Sequence, residues 1–152
     1  MNRKIVFIDD FFDDQVLGGG ELNNRELILL LKERHEVEKI NAIKISIPYL
    51  KQREECFFVI SNFVSLSQDS INYITDNLDY CIYEHDHKYL SSRNPSKYKD
   101  FKAPAHELRN YFFYKNAKKI FCQSDFHKNI IKNNLELENI HSVSGNLWSI
   151  NA

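Results

Sequence analysis

The chain has 152 residues, 43% hydrophobic and 27% charged, with a formal net charge of −1. That length suits one domain with a real core, and the composition is ordinary for a soluble globular protein. The near-zero charge gives no electrostatic case for nucleic acid, and there is no apolar run of 18 residues to span a membrane.

The first apolar run, Lys4–Ile8, reads as a buried parallel strand and ends in Asp9-Asp10, with Asp13-Asp14 following. These acids form either a solvated loop or a set that binds sugar hydroxyls. Three of only four glycines then stand together as Gly18-Gly19-Gly20, directly before Glu21. A helix over Glu21–Arg34 follows, with Leu22 and Leu27 to Leu31 as its apolar stripe and Asn23, Asn24, Arg25 and Glu26 between. Strand, glycine turn and helix start together make an anion site, because free N–H groups and the helix dipole point the same way. Glycine would serve there by allowing positive φ or by letting a ligand approach the backbone. The dinucleotide fingerprint is excluded, since Asn23 stands where its third glycine belongs. No Gly-Lys-Ser/Thr follows, so a Walker loop is excluded too.

His35–Ile40 reads as a second, more exposed strand, and Ile43, Ile45 and Ile47 as a short edge strand or extended loop ended by Pro48. Cys56–Ile60 is a third strand, ending at Ser61-Asn62. Ser67 caps a helix carrying Ile71, Ile74 and Leu78. Tyr80–Tyr83 is a fourth strand that runs into Glu84-His85-Asp86-His87, followed by a polar loop, Lys88 to Lys102, containing Arg93. Ala103–Asn116 reads as one helix, with Pro104 in its first turn. Lys119–Cys122 is a fifth strand leading to Gln123-Ser124, Asp125–Asn133 a helix, and Ile140–Val143 a sixth strand before Ser144-Gly145-Asn146.

Strands and helices alternate with few hairpin signals. The expected fold is α/β: one Rossmann-like domain over residues 1–152, with an open, mostly parallel sheet and helices on both faces. Cys56, Cys81 and Cys122 lie far apart in or beside apolar runs, which predicts buried free thiols and a reducing, cytoplasmic setting. Lysines gather in the second half, at Lys97, Lys99, Lys102, Lys115, Lys118 and Lys119. A solvated face explains them, and weak peripheral contact with the inner face of a membrane is the alternative.

Ligands of such sheets sit beyond the carboxyl ends of the strands. Three polar clusters fall there: residues 9–21, Glu84–His87 and Gln123-Ser124. Imidazole and carboxylate also suit a metal, but alternate members of an extended segment face opposite ways. A metal site would therefore need His106 or His127 as well.

The pattern resembles the N-terminal half of a GT-B-fold retaining glycosyltransferase, of the group 1, family 4-like type. The motifs that carry the resemblance are Gly-Gly-Gly-Glu before the first helix, His35-Glu36-Val37, the histidines after the fourth strand, and Ala117 to Ser124. Together they span nearly the whole chain. Two details depart from the pattern: Gly145-Asn146 reverses the usual Asn-Gly, and Arg34 replaces a glycine. A third departure is larger, since no two glutamates are eight positions apart, as they are in the family's second, donor-binding domain.

The resemblance implies transfer of a hexosyl group from a nucleotide-sugar donor to a glycan, lipid or protein acceptor in carbohydrate biosynthesis. It implies no cofactor and no tight metal, and a second domain or polypeptide to complete the enzyme. It places Gly18, Gly19, Gly20 and Glu21 near the donor diphosphate. His85, His87 and Asp86 become the catalytic candidates, with Glu84, Arg93 and Ser124 beside the substrate. The competing readings are a non-catalytic sugar- or nucleotide-binding module of the same fold and a metal-dependent hydrolase using Glu84–His87.

Overall fold

The computed structural model describes residues 3–16 and 18–143. Six strands form one sheet: β1 (Ile5–Asp9), β2 (Val37–Asn41), β3 (Phe57–Ile60), β4 (Asp79–Tyr83), β5 (Ile120–Cys122) and β6 (Ile140–Ser142). Their order is β2-β1-β3-β4-β5-β6, and every pairing is parallel. The helices are α1 (Gly19–Lys32), α2 (Ile47–Lys51), α3 (Gln68–Asn77), α4 (Tyr111–Asn116) and α5 (Asp125–Leu135). This is the expected Rossmann-like α/β architecture.

Period-two alternation divides β1 between two cores. Val6 and Ile8 join the larger one, with Leu50 of α2, Ile71 and Ile74 of α3, Phe113 and Tyr114 of α4, and Ile131 and Leu135 of α5. Ile5 and Phe7 join the smaller one, with Ile28 of α1, Val59 and Cys81. Helices therefore cover both faces, four on one and α1 on the other. β1 and β3 are central, whereas β2 lies at an edge and stays half-exposed. All three cysteines are buried and free.

Two expected elements differ. Residues 42–51 form neither strand nor extended loop, but a 3-10 turn, Ala42–Lys44, and then α2. Ser46 decides this, because its hydroxyl accepts from Tyr49 N at 3.3 Å and Pro48 fits the first helical turn. Residues 103–116 are not one helix either. Pro104 is extended, Ala105–Glu107 is a 3-10 turn, and Asn110 takes a left-handed φ of 59° before α4. Here the backbone bonds sideways to the loop after β4: Arg109 N to the Tyr89 carbonyl at 2.7 Å and Ser91 N to the Glu107 carbonyl at 2.9 Å. Those long-range bonds win over local helix propensity. The Ser144-Gly145-Asn146 turn lies outside the described residues.

The chain leaves β1 toward β2 on one side and takes up β3 on the other. That reversal makes a switch point between β1 and β3, where their carboxyl ends diverge and leave a crevice.

Candidate functional site

Both Asp9-Asp10 and the start of α1 meet this crevice. Gly18 is the N-cap of α1, with φ −101° and ψ 168°, and no side chain caps the helix. The first intrahelical bond runs from Leu22 N to the Gly18 carbonyl at 3.0 Å, so the N–H groups of the first turn lack intrahelical partners. None of the three glycines adopts a left-handed φ, which removes conformational freedom as the reason for the run. A Cβ at Gly19 would meet open space, and one at Gly20 would touch the His85 ring at 3.9 Å, an ordinary contact. The Glu21 carboxylate lies over Gly18, where a Cβ would collide with it. A cleft of about 410 Å³ opens here, lined by Asp10, Phe11, Glu21, Asn62, Ser65 and Arg93 among others. Asp10 shapes its floor by accepting from Val64 N at 3.0 Å and Ser65 N at 2.9 Å.

Asp9 is not part of a solvated loop; it is fully buried. It accepts from Phe11 N at 3.3 Å, from Asn62 Nδ2 at 3.2 Å and from Asn24 Nδ2. Burial pushes its carboxyl up to about 6, against the pull of those hydrogen bonds. Asn24 also donates to Ser61 Oγ at 2.9 Å, and its Oδ1 pairs with His85 Nε2 at 2.9 Å. Because that oxygen only accepts, His85 must carry its proton on Nε2. Nδ1 then accepts from the Gln123 amide, which completes the ring's bonding. Burial lowers the His85 pKa to about 4, helped by Lys88 and His127, so the ring is neutral near pH 7. Asp9, Ser61, His85 and Gln123 thus belong to one polar chain across the ends of β1, β3, β4 and β5. Asn23, the neighbour of Asn24, donates to Tyr83 Oη at 3.1 Å.

The Glu84–His87 cluster divides. Glu84 is fully buried, one oxygen taking Lys88 Nζ and the other the Tyr114 hydroxyl. Its place is the core, beneath the edge, so the expected substrate contact is corrected to a structural one. His87 bonds through Nδ1 to Tyr89 Oη at 2.6 Å and packs its ring 4.4 Å from that of His127. Burial takes the His87 pKa down to about 4 as well, with His127 adding to the effect. His127 Nε2 pairs with the Asp86 carbonyl at 3.0 Å. Asp86 accepts from Arg93 Nε at 2.8 Å and from Nη2, which holds Arg93 at the rim of the cleft in a left-handed turn of φ 58°. Ser124 is the N-cap of α5, accepting from His127 N at 3.0 Å.

Glu21 and Arg93 therefore line one cleft, with Gly18, Gly19 and Gly20 directly before Glu21 in the chain but not in its lining, whereas His87 and Ser124 lie at α5. His85 touches both regions but has each nitrogen engaged by protein. Asn23, Asn24, Ser61, Asn62 and Gln123 are the site residues that sequence reasoning did not single out as a set. Two adjacent asparagines in the first turns of a helix beside an acid-ended strand are the signal that marks them. Among the described residues, no group of three His, Cys, Asp or Glu side chains is disposed to hold a metal ion. Among them, too, no helix is long and apolar enough to cross a membrane.

No family model matches the chain, and no curated protein matches it. One similar solved structure is an α-glucosyltransferase in complex with UDP and a 13-mer DNA containing a central A:G mismatch. It is 17% identical with a TM-score of 0.48, and the match covers 82% of this chain and 38% of that one. The chain thus spans well under half the length of that structure.

Proposed function

We propose that the chain is the acceptor-side domain of a nucleotide-sugar-dependent glycosyltransferase. The donor diphosphate meets the N-terminus of α1 in the switch-point cleft. The observation that carries this reading is the glycine start of α1, which no side chain caps and which leads directly into Glu21 in the cleft wall. N–H groups without intrahelical partners and the positive end of the helix dipole favour phosphate, and glycine lets it come close. Arg93 adds a cation at the rim, and Glu21 is placed to accept a sugar or ribose hydroxyl. His85 acts as a positioning residue, holding Asn24 through Nε2.

The donor is a substrate in this reading and no metal is invoked. A second domain, or a separate polypeptide, would hold the rest of the donor and close the site. A binding module without turnover would share the same cleft, so transfer must be measured. Calorimetry with a panel of UDP- and GDP-linked sugars tests the site. Gly20→Val is expected to weaken binding about tenfold or more, equivalent to 1.4 kcal/mol. Donor sugars that fail to bind, or that bind Gly20→Val equally well, contradict the reading. Transfer is expected only when a donor domain is supplied in trans or by fusion, because orienting two substrates provides much of the rate.

A further inference from the structure

Two more clefts continue the one at the switch point. The first, about 390 Å³, shares Val64 and Arg93 with it. The second, about 460 Å³, shares Gln68, Ile71, Arg109 and Asn110 with the first. They make one groove that starts at the carboxyl edge, passes along α3 and ends at α4. Its lining mixes amides and rings with aliphatic side chains, among them Leu66, Ile71, Leu90 and Leu108. Gln68 and Asn72 bond to each other at 3.0 Å on one wall, and Asn110 and Asn116 belong to the other. At the far end stand Tyr111 and Phe112, 5.3 Å apart, with Phe112 65% exposed. Lys115 Nζ lies 5.9 and 6.0 Å from the two rings.

Charged side chains line it too. Arg93, Arg109 and Lys88 stand in these two stretches with Asp76, and Asp10 and Glu21 in the stretch at the switch point. Lys88 is committed to Glu84 and Arg93 to Asp86. Arg109 differs, since its Nη1 donates to two neutral carbonyls, of His106 at 2.8 Å and Leu108 at 2.9 Å. Its guanidinium lies where the two stretches meet, with the Glu107 carboxylate, itself held by Ser91, as a charged neighbour.

We infer that this groove binds a linear oligosaccharide carrying an anionic group, with Arg109 reading the anion and Phe112 stacking a sugar ring. The inference rests on the glycosyltransferase reading, because it names the acceptor of that site. Amides match a sugar's hydroxyl rim, and aromatic faces match its C–H face. A planar guanidinium suits a carboxylate or phosphate group. An acyl chain would want continuous apolar walls, which the amides interrupt.

The test is an array of linear oligosaccharides in three arms: neutral, uronate-bearing and phosphorylated. It is probed with the wild-type chain, Arg109→Gln and Phe112→Ala. Both side chains are exposed, and thermal unfolding of each variant checks that the fold is kept. One or both anionic arms should be retained over the neutral arm. Arg109→Gln should lower that retention about fivefold or more, and Phe112→Ala should lower it in all bound glycans. No retention, equal retention of neutral and anionic arms, or retention indifferent to both substitutions overturns the inference. Donor calorimetry on the same preparations separates the two readings. Intact donor binding without glycan retention sinks the groove alone, and glycan retention without donor binding sinks the donor site.

Discussion

Two of the helix starts at the carboxyl edge of this sheet are built in opposite ways. The start of α5 is closed: Ser124 caps His127 N, and His127 packs against His87 and the Asp86 carbonyl. The start of α1 is uncapped: Gly18 offers no side chain, and Glu21 in the first turn lines the cleft. The histidine-rich segment, which holds the more reactive side-chain types, spends them on packing and internal hydrogen bonds. The glycine run has no side chains, and its first N–H groups have no partner within the helix. Capacity to bind here follows what is left unpartnered, not which residue types are present.

The largest effect that could break this contrast lies under the closed side. Glu84→Ala would strand Lys88 and Tyr114 in the core, and a cost of about 3–5 kcal/mol is expected in urea unfolding. A cost under about 1 kcal/mol would mean that Glu84 is not the structural group described.

Acid tests the same side. His85 and His87 are held near 4 in the fold, below the usual imidazole value of 6.5. The unfolded chain therefore takes up their protons first, and stability falls as pH drops from about 6.5 to 4. Asp9 works the other way, because its raised folded value near 6 makes it most favourable below about 4 and costly by pH 6. His127 is lowered by burial as well and adds to the loss, so the histidines outweigh Asp9 and stability falls on acidification. Unfolding midpoints that are flat across that window would contradict the buried, neutral rings.

The open side should behave in reverse. At Gly19 and Gly20, where φ is ordinary and a Cβ fits, alanine should leave stability unchanged or raise it by about 0.5–1 kcal/mol. Donor affinity should nevertheless fall about tenfold, 1.4 kcal/mol. Ser124→Ala sharpens the contrast with the smallest change, a loss of about 1 kcal/mol of stability as a helix cap goes. Its donor affinity should stay at the wild-type value.

Much of the fold was legible because buried parallel strands are short continuous apolar runs. Lys4–Ile8, Cys56–Ile60, Tyr80–Tyr83 and Lys119–Cys122 each fall within a residue or two of the observed strands. The misread segments are those whose hydrogen bonds go to distant partners. Leu108 bridges Leu90, and no local pattern records that pairing. Of the cleft, the acid-ended first strand and Glu21 were legible from their place in the chain, whereas Asn62, Val64 and Ser65 reach it only through the sheet order. The Asp9–Asn24–His85–Gln123 chain was not, because asparagines within a helix read as a solvent face. Only the sheet order brings the ends of β1, β3, β4 and β5 side by side.

The most direct measurement is an amide-resolved NMR titration of the isotopically labelled chain with UDP- and GDP-linked sugars. The largest shifts are expected at Gly18 to Glu21, with smaller ones at Asn62 and Arg93, and with His87 and Ser124 unmoved. Shifts centred on residues 84–88 and 124–127, or no shift anywhere, would contradict the assignment of the open α1 start as the donor site.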